Sequence, residues 1–271
     1  MTESTATTFT DAHAAWHAEV ERARTAPFGP LSATAMHWLT SDPSRLPDLP
    51  GVWSAAPSGL VTVELAESDG VTRDGAPAFG RVEIGPLTGL QGDALSWGDV
   101  QIEIAARSGN IIVRPRDPAA AARAEYAGTG TFPANESWVV TARFVPKPRD
   151  GVEVASAAGA DRTQHYDSAG VAEFEIGGEP VALTLFGSAA GGDLRAIFAD
   201  ASGADLTFPA ARFVSVQPVN DTTVRIDFNR ASNPPCAYSE SATCPFPPPE
   251  NRLQVRIEAG ELRPNLNLQT P

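Results

Sequence analysis

Hydrophobic residues recur at the spacing of an α-helix only near the start of the chain. Four of them follow one another at three- or four-residue steps, and so share one helix face: Phe9, Ala12, Trp16 and Val20. Thr8 and Asp11 stand at the positions of a capping-box-like start. The pattern therefore predicts a helix over about residues 9–24. Four charged residues are assigned to its other sides: Glu19, Glu21, Arg22 and Arg24.

Farther along the chain the pattern changes to short runs in which apolar and polar residues alternate. A preceding apolar segment, residues 31–39, is interpreted as a helical turn or a strand that docks onto the core. Alternation at period two, bounded by Gly, Pro, Asp and Asn, is typical of half-buried strands. Eleven runs predict strands, over residues 60–65, 78–84, 100–105, 111–114, 138–145, 171–176, 181–186, 194–200, 211–216, 223–228 and 253–257. We expect a mainly β fold, an antiparallel β-sandwich or a barrel-like sheet, with the N-terminal α-helix packed on it.

The connections between these runs complete the predicted organisation. Gly-containing segments at 108–110 and 187–192 predict hairpin turns. Residues 150–170, rich in Ala, Gly and Ser, predict a longer loop. With 271 residues, the chain fits a single β domain over 9–262, preceded by a disordered N-terminus (1–8) and followed by a C-terminal tail (263–271).

Net charge and hydropathy narrow the set of partners. The formal net charge is −13, which opposes binding to nucleic acid and to anionic lipid. No apolar run approaches the roughly 20 residues of a membrane helix, and the N-terminus lacks the pattern of a signal peptide. We expect a cytoplasmic protein with neither a nucleic acid nor a membrane partner. Its oligomeric state is left open.

Motifs for organic cofactors and for common hydrolases are absent from the sequence, so no cofactor is predicted. There is no GxSxG, HExxH, P-loop or GxGxxG in a suitable context. His13 and His17 lie four residues apart on one side of the predicted helix, a spacing that can bind a transition metal. A metal site needs further ligands, and no obvious ones lie nearby in the sequence. The two histidines are interpreted as solvated or half-buried beside Trp16, and no metal site is predicted.

The most informative region of the chain joins the last two predicted strands. Residues 223–228 and 253–257 both alternate, and about two dozen residues connect them. Six prolines stiffen this connection, because proline reduces the freedom of the unfolded chain: Pro234, Pro235, Pro245, Pro247, Pro248 and Pro249. Long connections inside compact domains are usually functional or disordered. The prolines and the apolar residues of this one argue against disorder.

Such a rigid loop can present fixed polar groups to a small ligand. Arginine and asparagine are good donors for carboxylate or phosphate, so an anion is among the candidate ligands. The predicted ligand-binding set is Arg212, Asp227, Asn229, Arg230, Asn233, Tyr238, Glu250, Asn251 and Arg252. The alternative is structural, with Asp227, Arg230, Glu250 and Arg252 paired to one another and to loop carbonyls.

Two thiols, Cys236 and Cys244, lie within the same loop. In a cytoplasmic protein the default is a pair of reduced, buried thiols. Their spacing also permits a disulfide, half of a metal site, or a nucleophile activated by a nearby Arg or His.

At these residues the chain resembles domain-of-unknown-function family 1684, which is found mostly in bacteria. The motifs that carry the resemblance are Arg212-Phe213, Asp227-Phe228-Asn229-Arg230-Ala231, Asn233-Pro234-Pro235-Cys236-Ala237-Tyr238, Thr243-Cys244-Pro245, residues 247–253 and Ala259-Gly260-Glu261. The resemblance covers most of residues 10–262 and implies no activity.

Three functional hypotheses follow. The favoured one is a β-domain that binds a small ligand at the loop after Asp227. The second is a non-enzymatic structural or interaction protein, whose loop is a folding element. The third is an enzyme: a hydrolase, which is the reaction class favoured in the absence of a cofactor motif, or a thiol-dependent enzyme that uses Cys236 or Cys244.

Overall fold

The structure, a computed structural model, describes residues 8–188, 191 and 193–266. Most of the predicted disordered N-terminus (1–8) and of the C-terminal tail (263–271) lies outside the described residues, as does part of the predicted turn at 187–192.

Contacts between residues group the chain into two compact units. The barrel unit contains residues 1–23, 127–238 and 244–271, and the sheet unit contains residues 24–126 and 239–243. The single domain over 9–262 stays a prediction.

The predicted N-terminal helix is confirmed as α1, Phe9–Arg24. It begins with a reciprocal capping box: the Thr8 amide donates to Asp11 Oδ2 at 3.2 Å, and the Asp11 amide donates to Thr8 Oγ1 at 3.1 Å. More residues of α1 are turned away from solvent than its apolar residues alone predict. Glu21 is half-buried and Arg24 is buried, so their assignment to the outer sides is wrong.

The sheet unit contains nine strands in two antiparallel sheets. They are β1 (His37–Trp38), β2 (Val52–Ala55), β3 (Val61–Leu65), β4 (Val71–Arg73), β5 (Ala76–Pro77), β6 (Gly80–Ile84), β7 (Gly92–Trp97), β8 (Val100–Arg107) and β9 (Asn110–Arg116). The strand orders are β1-β9-β8-β7-β4-β5 and β2-β3-β6. Trp53 and Val63 of the small sheet share one buried core with Ile102 and Ile104 of the large sheet. A short helix, α2 (Ala121–Glu125), follows.

Two local predictions in this unit are confirmed in detail. Ser108 and Gly109 join β8 to β9 with φ angles of 52° and 71°, as in the two-residue turns that suit the twist of a hairpin. The segment 31–39 contains both of the proposed elements, a 3-10 turn at Pro30–Ser32 and the short strand β1.

The barrel unit is built on a closed six-stranded antiparallel barrel. Its strands are β10 (Val139–Ser156), β11 (Gly159–Ile176), β12 (Glu179–Phe186), β13 (Arg195–Phe198), β14 (Arg212–Asn220) and β15 (Thr223–Asp227). The barrel closes because β10 pairs with β11 on one side and with β15 on the other. Alternate residues such as Val214, Val216, Val224 and Ile226 fill its core. The mainly β, antiparallel fold with an N-terminal helix is thereby confirmed.

Two predicted elements in this unit are wrong. Residues 150–170 are not a loop, because β10 and β11 extend through them as one long hairpin whose register shifts accommodate its prolines and glycines. Residues 253–257 form no strand. The Leu253 amide donates to the Ala199 carbonyl at 2.8 Å, and the Ala201 amide donates to the Val255 carbonyl at 3.1 Å. At Ile257 this backbone pairing gives way to side chains, because its amide donates to Asp200 Oδ2 at 2.7 Å and its carbonyl accepts from Arg212 Nη2 at 2.9 Å.

Among the described residues, no helix combines the length and the apolar character needed to cross a membrane. The cytoplasmic location stays a prediction.

Candidate metal centre

The loop that carries the candidate residues, here called the signature loop (residues 228–252), is largely folded into short turns. Three of them are 3-10 turns, at Phe228–Arg230, Pro235–Ala237 and Pro249–Asn251. Proline begins the second and third, where its fixed φ and missing N–H are tolerated. The loop is thus held in a defined path.

Arg212, the first predicted ligand-binding residue, is fully buried. Its guanidinium donates to Asp200 Oδ1 and to the Ala259 carbonyl, both at 2.6 Å, and also to the Ile257 carbonyl. Burial lowers the pKa of Arg212, and the charge of Asp200 opposes that shift. This arginine fastens the C-terminal segment to the barrel rather than facing a ligand.

Asp227 and Asn229 are likewise engaged within the fold. Asp227 Oδ1 accepts hydrogen bonds from the Asn229 amide at 3.2 Å and from Asn229 Nδ2 at 2.9 Å. The Asn229 side chain also exchanges two hydrogen bonds with the backbone of Asn135. Arg230 is exposed and lies 3.6 Å from Asp227 Oδ2. These contacts favour the structural interpretation for this part of the set.

The far end of the signature loop is attached to β12 and β13. Asn251 is fully buried, and its side chain accepts from the Thr184 amide and donates to the Thr184 and Ile197 carbonyls. Glu250 accepts from Thr184 Oγ1 at 3.1 Å and from Arg149 at 3.4 Å. Burial raises the pKa of Glu250, but its hydrogen bonds outweigh burial and lower it overall. Arg252 is exposed.

Asn233 and Tyr238, in contrast, converge on a carboxylate that the sequence analysis did not select. Glu261 is fully buried, and its Oε2 accepts from the Asn233 amide at 2.7 Å and from the Tyr238 hydroxyl at 3.4 Å. The Tyr238 hydroxyl also lies 3.2 Å from Asn233 Nδ2 and 3.0 Å from Thr129 Oγ1. A hydrogen-bonded shell therefore fixes Oε2 of Glu261.

The backbone around Glu261 explains how a carboxylate is held in the interior. Gly260 has a φ of 80°, and a Cβ at this position would overlap the Ala231 carbonyl oxygen. The Glu261 amide donates to that same carbonyl at 2.9 Å, and the Phe132 amide donates to the Gly260 carbonyl at 2.9 Å. Only glycine allows this close approach of two chain segments.

Helix α1 brings two further side chains to the other oxygen of Glu261. His17 Nε2 lies 3.6 Å from Glu261 Oε1 and 3.8 Å from Glu21 Oε1. His17 and Glu21 are one helical turn apart, and each side chain is 21% exposed, against 0% for Glu261. His17, Glu21 and Glu261 are called the helix–loop site below; each offers one ligand atom, and the three atoms lie within 4.8 Å of one another.

This donor set suits a divalent transition metal. Imidazole nitrogen and carboxylate oxygen are common ligands of Zn²⁺ at about 2.0–2.2 Å. Two such ligands at a tetrahedral angle stand about 3.4 Å apart, close to the separations of His17 Nε2 from the two carboxylates. The sequence analysis predicted no metal. The His17-x-x-x-Glu21 spacing is a signal that could have identified two ligands, whereas nothing local connects Glu261 to them.

The thiols of the signature loop form no disulfide. Cys236 and Cys244 are both buried and unbridged, and the Cys236 amide donates to Cys244 Sγ at 3.2 Å. The hydrogen bond with Cys244, together with burial, raises the pKa of Cys236. A thiol with a raised pKa is a poor nucleophile, because the thiolate is the reactive form.

Comparison with known proteins places the chain with a family of unknown function. A family described as "Protein of unknown function (DUF1684)" matches residues 124–262, just over half of the chain. This range includes Glu261 but begins after α1, so it does not include His17 or Glu21. The solution NMR structure of an uncharacterized protein from Haloarcula marismortui is similar with a TM-score of 0.43 and 26% sequence identity, covering 52% of this chain and 78% of that chain. No curated protein matches.

Proposed function

The chain belongs to the DUF1684 family of proteins of unknown function, and from its own geometry we propose that it binds a divalent transition-metal ion, of which Zn²⁺ is the representative, at the helix–loop site. His17 and Glu21 of α1 and Glu261 of the C-terminal segment are the proposed ligands. The Asn233 amide and the Tyr238 hydroxyl hold Glu261 in place.

One observation carries this proposal. His17 Nε2 is buried without a hydrogen-bond partner in the described chain, and it faces two carboxylate oxygens. A buried polar atom without a partner is unusual and needs a physical explanation. A metal ion supplies one, because a neutral imidazole nitrogen and two carboxylates would share it as ligands.

An ordinary ion pair between protonated His17 and the carboxylates is the competing explanation. Charge-assisted hydrogen bonds between nitrogen and oxygen are about 2.7–2.9 Å long. The observed separations, 3.6 and 3.8 Å, fall within the range of an ion pair, about 4 Å, but are too long for such hydrogen bonds. They suit ligands on either side of a common ion.

The proposal revises the ligand class expected for the signature loop. Within the set predicted from sequence, Asn233 and Tyr238 contact this site, whereas the exposed Arg230 and Arg252 do not take part in it. A cation is thus favoured over an anion. Imidazole together with carboxylate favours zinc-class ions over Ca²⁺ and Mg²⁺, which prefer all-oxygen ligands. Hydrolysis stays a prediction for the case that the protein is an enzyme.

Metal binding is tested on protein freed of metal with a chelator. An ion that binds the folded state alone stabilises it by about 2.7 kcal/mol at a free concentration of 100 Kd. For a chain of this size we expect Zn²⁺ to raise the Tm by roughly 5–10 °C. Metal analysis after desalting is expected to give about one zinc per chain.

Three variants assign the effect to the site. His17→Ala, Glu21→Gln and Glu261→Gln are each expected to reduce the zinc-dependent rise in Tm and the retained zinc. Glu261→Gln keeps an oxygen that can accept from the Asn233 amide. Loss of zinc binding in this variant therefore does not result from loss of that hydrogen bond. The control is Glu19→Gln, on the exposed side of the same helix. An equal response of wild type and His17→Ala to zinc, or none in wild type, would refute the proposal.

A further inference from the structure

The open end of the barrel contains a cavity that is separate from the helix–loop site. It lies where β10 and β11 bend, beside the β12–β13 connection and the turn between β14 and β15. Its volume is about 670 Å³, within the range of small-molecule pockets. None of the proposed metal ligands lines it.

Its inner wall is apolar and belongs to the barrel core. Phe144, Leu194 and Val224 line the cavity and are all buried members of that core. Prolines extend the apolar wall toward the rim, at positions 146, 148 and 218. These residues offer a surface for the hydrocarbon part of a ligand.

A single polar group is fixed within this wall. Ser168 on β11 lines the cavity and is only 3% exposed, and its Oγ has no hydrogen-bond partner in the described chain. Ser168 lies beside a register shift of the β11–β12 pair, where a strand commonly redirects a side chain. A buried hydroxyl with both donor and acceptor capacity is therefore available to a ligand.

Negative charge surrounds the entrance. Asp150, Asp167 and Asp221 line the cavity, and its described lining contains no Lys, Arg or His. Lys147, Arg149, Arg195 and Arg225 each stand next to a lining residue in sequence, but none of them belongs to the lining, so they lie outside the cavity. Arg149 there approaches Glu250, at 3.4 Å. The entrance consequently favours a cation.

From this combination we propose that the open end of the barrel binds an amphiphilic organic amine. Its protonated head lies among Asp150, Asp167 and Asp221 and exchanges a hydrogen bond with the Ser168 hydroxyl. Its hydrocarbon body lies against Phe144, Leu194 and Val224. Charge complementarity selects this ligand class over fatty acids, which would bring a carboxylate to an acidic rim.

Three probes with the same chain length separate charge from hydrophobicity: octylammonium, octanol and octanoate. By calorimetric titration near neutral pH, we expect octylammonium to bind roughly tenfold more tightly than octanol, and octanoate to bind most weakly. Equal binding of all three probes, or no binding of octylammonium, would overturn the proposal.

Charge-matched variants locate the site. The double variant Asp150→Asn/Asp221→Asn removes two exposed carboxylates and is expected to abolish the preference for octylammonium over octanol while leaving octanol binding unchanged. Asp99→Asn/Glu179→Gln makes the same change in net charge at exposed positions away from the cavity and should retain the preference. Loss of the preference in this control would attribute it to net charge and contradict the assignment.

The role of the hydroxyl is tested with Ser168→Ala. This small substitution is expected to weaken octylammonium and octanol alike, because both heads can bond to Oγ. Unchanged unfolding behaviour of the variant shows that the fold is retained. Unchanged affinity for both probes would refute the part assigned to Ser168.

Discussion

Arg212 and Asp200 have side chains that are 0% and 1% exposed, and they face each other at 2.6 Å. A charge in the interior is tolerated when it is paired and hydrogen-bonded, and here two backbone carbonyls accept from Nη1 and Nη2 of the same guanidinium. Sequence alone identified Arg212 as a candidate for binding an anion, and the anion proved to be an aspartate of the same chain. The residue type thus indicated that Arg212 binds a carboxylate, and its burial explains why that carboxylate is Asp200.

Glu103 of the sheet unit is a second charged residue that is stabilised by ion pairs, here with three arginines. Its carboxylate accepts from Arg114 and Arg116 at 3.0 and 2.8 Å, and Arg107 lies 3.6 Å away. Burial raises the pKa of Glu103, but the three arginines outweigh burial and lower it overall. We expect Glu103→Gln to lower the free energy of unfolding by roughly 2 kcal/mol near neutral pH.

The sign of the pH dependence follows from the lowered pKa. The stability contributed by the ionised Glu103 is present in full above the ordinary carboxyl pKa of 4.5, and it is lost as the pH falls from there through the lower folded-state value. Urea unfolding should therefore give a wild type–variant difference that shrinks below about pH 4.5. The control Glu173→Gln, in a surface pair with Arg143, should change stability by less than about 1 kcal/mol. A difference independent of pH would contradict this account.

At the scale of elements, the local sequence was sufficient to predict those elements whose stabilising interactions lie within a few residues of one another. The capping box and the apolar spacing of α1 act within a few residues, and the helix has its predicted bounds, Phe9–Arg24. The β10–β11 hairpin was missed because the Ala, Gly and Ser content of residues 150–170 is typical of loops, whereas here the two strands pair through the segment with shifts of register. Residues 253–257 alternate as a strand does, but their backbone pairing with Ala199 and Ala201 is short, and Ile257 bonds to the side chains of Asp200 and Arg212 instead, which alternation cannot reveal.

Gly260 decides the path of the segment that delivers Glu261. Gly260→Ala is expected to destabilise the protein in two ways: the φ of 80° is unfavourable for a residue with a Cβ, and that Cβ would overlap the Ala231 carbonyl oxygen. Gly178→Ala is the matched control, because Gly178 has a φ of 84° but no atom lies within 4 Å of the place that a Cβ would take. The control should cost about 1–2 kcal/mol of unfolding free energy, and Gly260→Ala distinctly more. Equal losses in chemical denaturation would show that the overlap is relieved without cost.

At the scale of the whole molecule, the helix–loop site joins residues that are far apart in sequence. His17 and Glu261 are separated by most of the chain, and their proximity depends on the closed barrel, the signature loop and α1 together. The sequence analysis could find His17 and name the signature loop, yet it had no information that would place one against the other. Long-range contacts of this kind depend on tertiary structure, for which a single sequence contains no local pattern.

The same arrangement makes a prediction about where a metal ion acts. All three proposed ligands belong to the barrel unit, and an ion that binds them raises the free energy of opening for the segments that carry them. In hydrogen exchange read by mass spectrometry, Zn²⁺ should slow exchange in residues 9–23, 229–238 and 244–262, all of which belong to the barrel unit. It should leave β2 to β9 of the sheet unit unchanged. His17→Ala should remove the protection. Equal slowing in both units would instead indicate binding outside the helix–loop site, since only the barrel unit holds its ligands.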